Sequence, residues 1–157
     1  MAIPKTVLEF LDRHGASYTL KRHLGAGVAT RVAETAHISG ECVVKGVLME
    51  HAGSDYRVIA LPAARHIDIV SLHLRFGELW GLATEEEIRR LFPDCESGMV
   101  PVPAVAYGVD VMLDNSITEV PRVYFEVGDT TTLARMNTTE FLALFPTAER
   151  GDFSRHL

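Results

Sequence analysis

Cys42-Val43-Val44-Lys45-Gly46-Val47-Leu48-Met49-Glu50 reads as a β-strand that is apolar on both faces and carries one lysine inside it. Successive side chains of a strand alternate, so Lys45 shares a face with Val43, Val47 and Met49, while Cys42, Val44, Gly46 and Leu48 take the other. A strand with two apolar faces belongs in the middle of a covered sheet. An ammonium there is costly unless it reaches a cleft or a partner. Lys45 is therefore a candidate functional residue. The same pattern also fits an edge-strand gatekeeper, or a core lysine that carries its head to water on an aliphatic stem. Gly46 favours the functional reading, since a glycine inside a strand often marks the close approach of a ligand or another backbone.

Working outward, His51-Ala52-Gly53-Ser54-Asp55 is a hairpin connection, and Tyr56–Leu61 is expected to return antiparallel beside the lysine strand, the pair forming the sheet's centre. Upstream, Pro4 and the spacing of Val7, Leu8 and Leu11 predict a helix over residues 4–14 stopped by Gly15, and residues 17–23 alternate like a strand. Thr30 is expected to cap a short helix running to about His37. Downstream, Ile67, Val70 and Leu74 predict a helix closed by Gly77, and residues 79–82 a short strand. Thr84 and Glu87 form a capping box for a helix that Pro93 ends. Residues 94–103 make a loop with two prolines. Val109–Leu113, Arg122–Val127 and Thr131–Arg135 are further strands; Asn137 with Glu140 is a second capping box, opening a helix over 138–145, and residues 151–157 form a loose tail. Helices and strands interspersed with a hairpin favour an α+β fold with a mixed sheet, in a single domain spanning 1–157 with its core at about 4–146.

At 157 residues, 47% hydrophobic and 23% charged, the chain has the composition of one ordinary globular domain. A formal charge of −6 argues against a broad nucleic-acid footprint but leaves room for a small basic mouth around Lys45, Arg31 or Lys21. The two cysteines, Cys42 and Cys95, suggest neither a disulfide framework nor a zinc site. A reducing, cytoplasmic setting fits, and no stretch approaches membrane-spanning length. Phosphate-loop, GxGxxG, GxSxG and HExxH motifs are absent from the sequence.

His66 and His73, seven apart on the predicted helix, open a metal hypothesis that no cysteine or carboxylate reinforces. Glu85, Glu86 and Glu87 read as a solvated helix start and Cys95 as a structural thiol. The loop Ser97–Pro103 reads as a rigid connector by itself. Beside Lys45 it completes the two parts an acyl-transfer site needs, a cation in a cleft and pre-set backbone amides for a developing oxyanion.

Val43-Val44-Lys45, the run from Ala83-Thr84-Glu85-Glu86-Glu87 into Leu91-Phe92-Pro93-Asp94-Cys95-Glu96-Ser97-Gly98-Met99-Val100-Pro101, and Val123-Tyr124-Phe125-Glu126-Val127-Gly128-Asp129 together resemble the YbaK/prolyl-tRNA synthetase editing-domain family. The likeness runs roughly from Thr30 to Phe145. It implies a mixed, curved central sheet flanked by helices and a trans-editing deacylase, which hydrolyses the ester between a wrong small amino acid and the terminal adenosine of a tRNA. It also implies that neither metal nor cofactor takes part. The family's lysine maps onto Lys45 and its glycine-proline loop onto Gly98–Pro101. On this resemblance Lys45 and Gly98 are the catalytic residues, and His23, Thr30, Met99, Val100, Pro101, Gly128, Asp129 and Thr130 line the substrate. The implied partners are the acceptor end of an aminoacyl-tRNA and an aminoacyl-tRNA synthetase, with no role for DNA or membrane. In the inferred mechanism Lys45 holds phosphate or ester oxygens as a point charge and stays protonated, so it is not the general base. Amides of residues 98–100 polarise the carbonyl, with Pro101 keeping them aimed. This sequence departs from the family at Ser97, at Val102-Pro103, and at Thr130, where near relatives often carry histidine. A non-catalytic aminoacyl- or nucleotide-binding module of the same fold is the alternative.

Overall fold

The computed structural model describes residues 3–22, 38–77 and 79–156. The expected turn at Gly25–Gly27 and the helix capped by Thr30 lie outside them. The strand that opens the sequence reading is β2 (Val43–His51), and β3 (Asp55–Pro62) returns antiparallel to it in the register Val44↔Pro62 through His51↔Asp55. Turn chemistry allows this, with Ala52 and Gly53 both at positive φ, 53° and 78°.

Seven strands run in the spatial order β1-β8-β7-β2-β3-β6-β9, where β1 is Thr19–Arg22, β6 Asp110–Asp114, β7 Arg122–Glu126, β8 Thr132–Asn137 and β9 Glu149–Gly151. An eighth, β5 (Trp80–Leu82), pairs with the far end of β2. The lysine strand is thus the central one. The sheet is mixed: β2–β7, β3–β6 and β6–β9 pair parallel and the rest antiparallel. Val44 and Leu48 face the main core with Val58, Phe125, Phe141 and helix α1 (Lys5–Arg13), which buries Val7, Phe10 and Leu11. On the opposite face Val43 packs with Ala63, Tyr124 and Leu133, and Met49 with Leu72, Trp80 and Phe153. Both faces of the strand are covered, as its two apolar rows require.

Helices α2 (Ile69–Phe76), α3 (Glu85–Leu91) and α4 (Thr138–Ala143) complete this α+β domain. The Thr84–Glu87 capping box is formed. Three local expectations are corrected. Helix α2 starts at Ile69, capped by Asp68, so Ile67 and His66 belong to a short strand β4 (Arg65–Ile67). The later start rotates the helix: Val70 and Leu74 point to solvent, Leu74 at 85% exposure, and Leu72 is the buried residue. The Asn137 side chain makes no capping hydrogen bond; the start of the helix is tied instead to the preceding loop, the Thr138 amide and hydroxyl donating to the carbonyls of Pro121 and Val120 at 3.1 and 2.6 Å. Residues 151–156 are not a loose tail. Gly151 ends β9, and β10 (Ser154–His156) pairs with β4. Between them Phe153, 1% exposed, fills the second core while its amide donates to Asp114 Oδ1 at 2.8 Å. One large apolar residue with an anchored amide is enough to hold a polar segment down.

Candidate active site

A strand has two edges, and β3 occupies the whole of one edge of β2. On the other, β7 pairs only with Val43 and Val44, and β5 only with Met49, Glu50 and His51. Between them residues 45–47 face an opening in the sheet, Leu48 being held by the Ala83 amide, which donates to its carbonyl at 3.0 Å. The register locates what lies across it. Val43 pairs with Tyr124 and Val44 with Phe125, so the next rung would set Lys45 beside Glu126. Paired residues share a face, and both side chains lie on the side of Val43, Tyr124 and Leu133.

The proline loop enters this opening. After Phe125, the edge of β7 that had paired with β2 is taken by the Val102 amide, which donates to the Glu126 carbonyl at 2.9 Å. Val100 lies against Gly46 so closely that a Cβ there would meet Val100 Cγ1 at 3.1 Å and its carbonyl oxygen at 3.5 Å. The glycine in the strand therefore does mark the approach of another backbone. Gly98 has a φ of 82°, and the tight turn it makes is closed by the Met99 amide donating to the Glu96 carbonyl at 3.0 Å. Met99 is thus occupied, whereas the Gly98 and Val100 amides have no partner among the described residues. Pro101, Val102 and Pro103 are buried and fix the far side of the loop.

Gly128, Asp129 and Thr130 are joined to the same loop. The Glu96 amide donates to the Gly128 carbonyl at 2.9 Å, and Thr130 donates through its hydroxyl and amide to Glu96 Oε2 at 2.6 and 3.3 Å. Asp129 Oδ1 accepts the amide and hydroxyl of Thr131, both at 2.8 Å. Glu96 Oε1, Asp129 Oδ2 and Thr132 Oγ1 are sealed from solvent without a partner among the described residues. The structure therefore joins Gly128, Asp129 and Thr130 to the loop that carries Gly98, Met99, Val100 and Pro101, and brings that loop to the break beside Lys45 through Val100 and Val102. His23 and Thr30 lie outside the described residues.

The electrostatics of the opening come from its two charges. Burial holds the Lys45 ammonium below the usual lysine range, and Glu126 draws it partly back. Glu126 is 8% exposed, and burial pushes its carboxyl up to about 7 against the pull of the Gly46 amide and of Lys45. No contact ion pair joins the two, and the Glu126 carboxylate is held instead by the Gly46 backbone amide. Sequence reasoning missed Glu126 as a site residue. Its alternation in Arg122–Val127 puts it on the half-exposed row of Arg122 and Tyr124, where a glutamate looks solvated. The signal that could have found it is its place opposite the buried-strand lysine once β7 is laid parallel to β2.

Other candidate groups lie elsewhere. His66 bonds to Arg155 and His73 to the Trp80 carbonyl, one on a strand and one on a helix, so they do not share a helix face. Among the described residues no group of three or more His, Cys, Asp or Glu is placed to hold a metal ion. Burial pushes the Cys95 thiol up to about 11. A cavity of about 440 Å³ opens between Phe10, Arg57, Asp110 and Phe145, away from the Lys45 opening. Among the described residues no helix is long and apolar enough to cross a membrane.

Solved structures share this fold. The hypothetical protein APE2540 is 19% identical, with a TM-score of 0.83 over 96% of this chain and 100% of its own. A candidate trans-editing enzyme for prolyl tRNA synthetase is 19% identical, with a TM-score of 0.77 over 98% of this chain and 99% of its own. A candidate signal transduction protein from Marinobacter aquaeolei VT8, 18% identical, matches 98% of this chain at a TM-score of 0.76 with only 31% of its own length. No curated protein sequence matches. The model of the aminoacyl-tRNA editing domain matches residues 25–144, a span that contains the lysine strand, the proline loop and the Gly128 turn. With most of its length matched and every element of the opening inside the match, the chain belongs to the aminoacyl-tRNA editing domain family.

Proposed function

We propose that this protein is a trans-editing deacylase, which hydrolyses the ester linking a mischarged small amino acid to the terminal adenosine of a tRNA. The observation that carries the reading is the meeting, at one break in the sheet, of a half-buried lysine and a proline-braced loop with two amides that have no partner among the described residues. Lys45 holds phosphate or ester oxygens of the aminoacyl-adenosine as a point charge. The Gly98 and Val100 amides polarise the ester carbonyl and receive the oxyanion as water attacks; Met99, whose amide closes the turn, contributes shape. Gly128, Asp129 and Thr130 form the neighbouring wall through Glu96. The partner is the acceptor end of an aminoacyl-tRNA, and the family's association with synthetases makes one of these a second partner.

Gly98→Ala tests the loop. The space is open, with Glu85 Oε1 the nearest atom at 3.8 Å, but alanine is strained at a φ of 82° and the turn must shift. Turnover is expected to fall roughly tenfold to a hundredfold, while a non-hydrolysable aminoacyl-adenosine analogue binds nearly as before, because only transition-state stabilisation is lost. A wild type that binds the analogue without hydrolysing ester, and a variant weakened in binding alone, would identify a binding module instead.

A metal-free mechanism makes a separate demand. Deacylation is expected to survive exhaustive chelation, measured as the initial rate before and after removal of divalent ions. Loss of activity that added zinc restores would move the chemistry to a metal.

A further inference from the structure

Ester hydrolysis by water needs a group to take the water's proton, and the point charge and amides of the opening cannot supply one. We propose that Glu126 is the general base of the reaction, accepting a proton from the attacking water at the place where β2 and β7 part, opposite Lys45. The inference rests on the deacylase reading and adds a catalytic residue to it.

Geometry carries the assignment. Glu126 occupies the rung after Val44↔Phe125, on the same face as Lys45, and its backbone carbonyl is bound by Val102 two residues from the Val100 amide. The carboxylate thus sits at the break, beside the Lys45 charge and the Gly46 amide, on the residue whose backbone carbonyl holds the loop. Its neighbours on each packed element are Lys45 and the Gly46 amide on β2, Leu133 across on β8, and Val102 in the loop. Among the described residues Lys45 is the charged side chain that acts on it. A carboxyl that burial brings to about 7 is half ionised at neutral pH, which suits a base that must accept a proton and return it.

Rival acceptors among the described residues around the opening are committed. The Cys95 thiol stays protonated at neutral pH, and the Thr130 hydroxyl donates to Glu96. Glu96 and Asp129 each hold one oxygen in hydrogen bonds and have the other sealed from water.

The step balances without a co-reactant. Water oxygen bonds to the ester carbonyl carbon, the π pair moves onto the carbonyl oxygen beside the loop amides, and the water proton passes to the Glu126 carboxylate. As the tetrahedral intermediate collapses, the bond to the ribose oxygen breaks and that oxygen takes the proton back from Glu126. Free amino acid and tRNA leave, and the base is regenerated.

The test is single-turnover deacylation of mischarged tRNA across pH 5–9 by wild type and Glu126→Gln, with analogue binding measured on both. Wild type should show a rate that rises with pH through a midpoint near 7 and then levels, because the base works only when deprotonated. Glu126→Gln, isosteric and uncharged, should lose on the order of a hundredfold in rate and lose that pH limb, with analogue binding within about twofold. An active wild type whose Glu126→Gln variant keeps both rate and profile overturns the base assignment alone. A wild type inactive on every mischarged tRNA overturns the deacylase reading and the base with it. Carbon-detected NMR titration of the Glu126 carboxyl gives a readout independent of turnover: its midpoint should lie near 7 and rise in Lys45→Met. A midpoint in the ordinary glutamate range, unmoved by Lys45→Met, overturns the couple.

Discussion

Lys45→Ala is expected to lower the deacylation rate by on the order of a hundredfold or more, the usual cost of removing one preorganised charge from a water-poor site. The loss should come from charge and not from packing. Lys45 lies on a covered face with Val43, Tyr124 and Leu133 nearby, so truncation also removes an aliphatic stem. Lys45→Met keeps most of that stem and discards the ammonium. The two variants should therefore be about equally slow, and thermal unfolding should find Lys45→Met no less stable than wild type, since a desolvated ammonium has been removed from the strand. Unchanged turnover in Lys45→Ala would remove Lys45 from the mechanism. A rate restored in Lys45→Met would show that the site needs the stem alone.

The second large effect is structural. Gly128→Ala should destabilise the protein by about 3 kcal/mol or more, combining the strain of a non-glycine residue at positive φ with overpacking. The backbone there has a φ of 97°, and an added Cβ would stand 2.5 Å from Cys95 Sγ and 3.0 Å from Pro4 Cγ. Neither neighbour yields cheaply. Cys95 is held by the turn after α3, and Pro4 starts helix α1. Denaturant unfolding with an unchanged m-value would read the loss directly. Stability within about 0.5 kcal/mol of wild type would mean that the Gly128 turn is loose, and that the Glu96–Thr130 bonds do not hold the two halves of the site together.

The centre of the fold was legible because its physical signals are local and agree with one another. The doubly apolar row 42–50, the hairpin at 51–55 and the capping box at Thr84 each demand one structure, and each appears. The opening in the sheet was not legible. It arises because β7 follows β2 for only two rungs before Val102 takes its edge, and no run of residues announces where a parallel pair will part. Glu126 was hidden for that reason: along its own strand it looks solvent-facing, and only the register across to Lys45 shows it buried. The tail was misread because Ser154, Arg155 and His156 are polar, while the one residue that anchors them, Phe153, finds its core and its Asp114 partner far away in sequence. Asn137 makes no cap, and the start of its helix is tied down instead by the Val120 and Pro121 carbonyls, which the fold brings near to accept from Thr138.

The central claim, that the Lys45 opening hydrolyses aminoacyl esters on tRNA, is tested most directly by single-turnover deacylation of a panel of tRNAs mischarged with small amino acids. Wild-type protein should release at least one amino acid well above the spontaneous rate, with Lys45→Ala and Gly98→Ala both slowed on that same substrate. Release at the spontaneous rate from every member of the panel, by protein shown to be folded, would contradict the account.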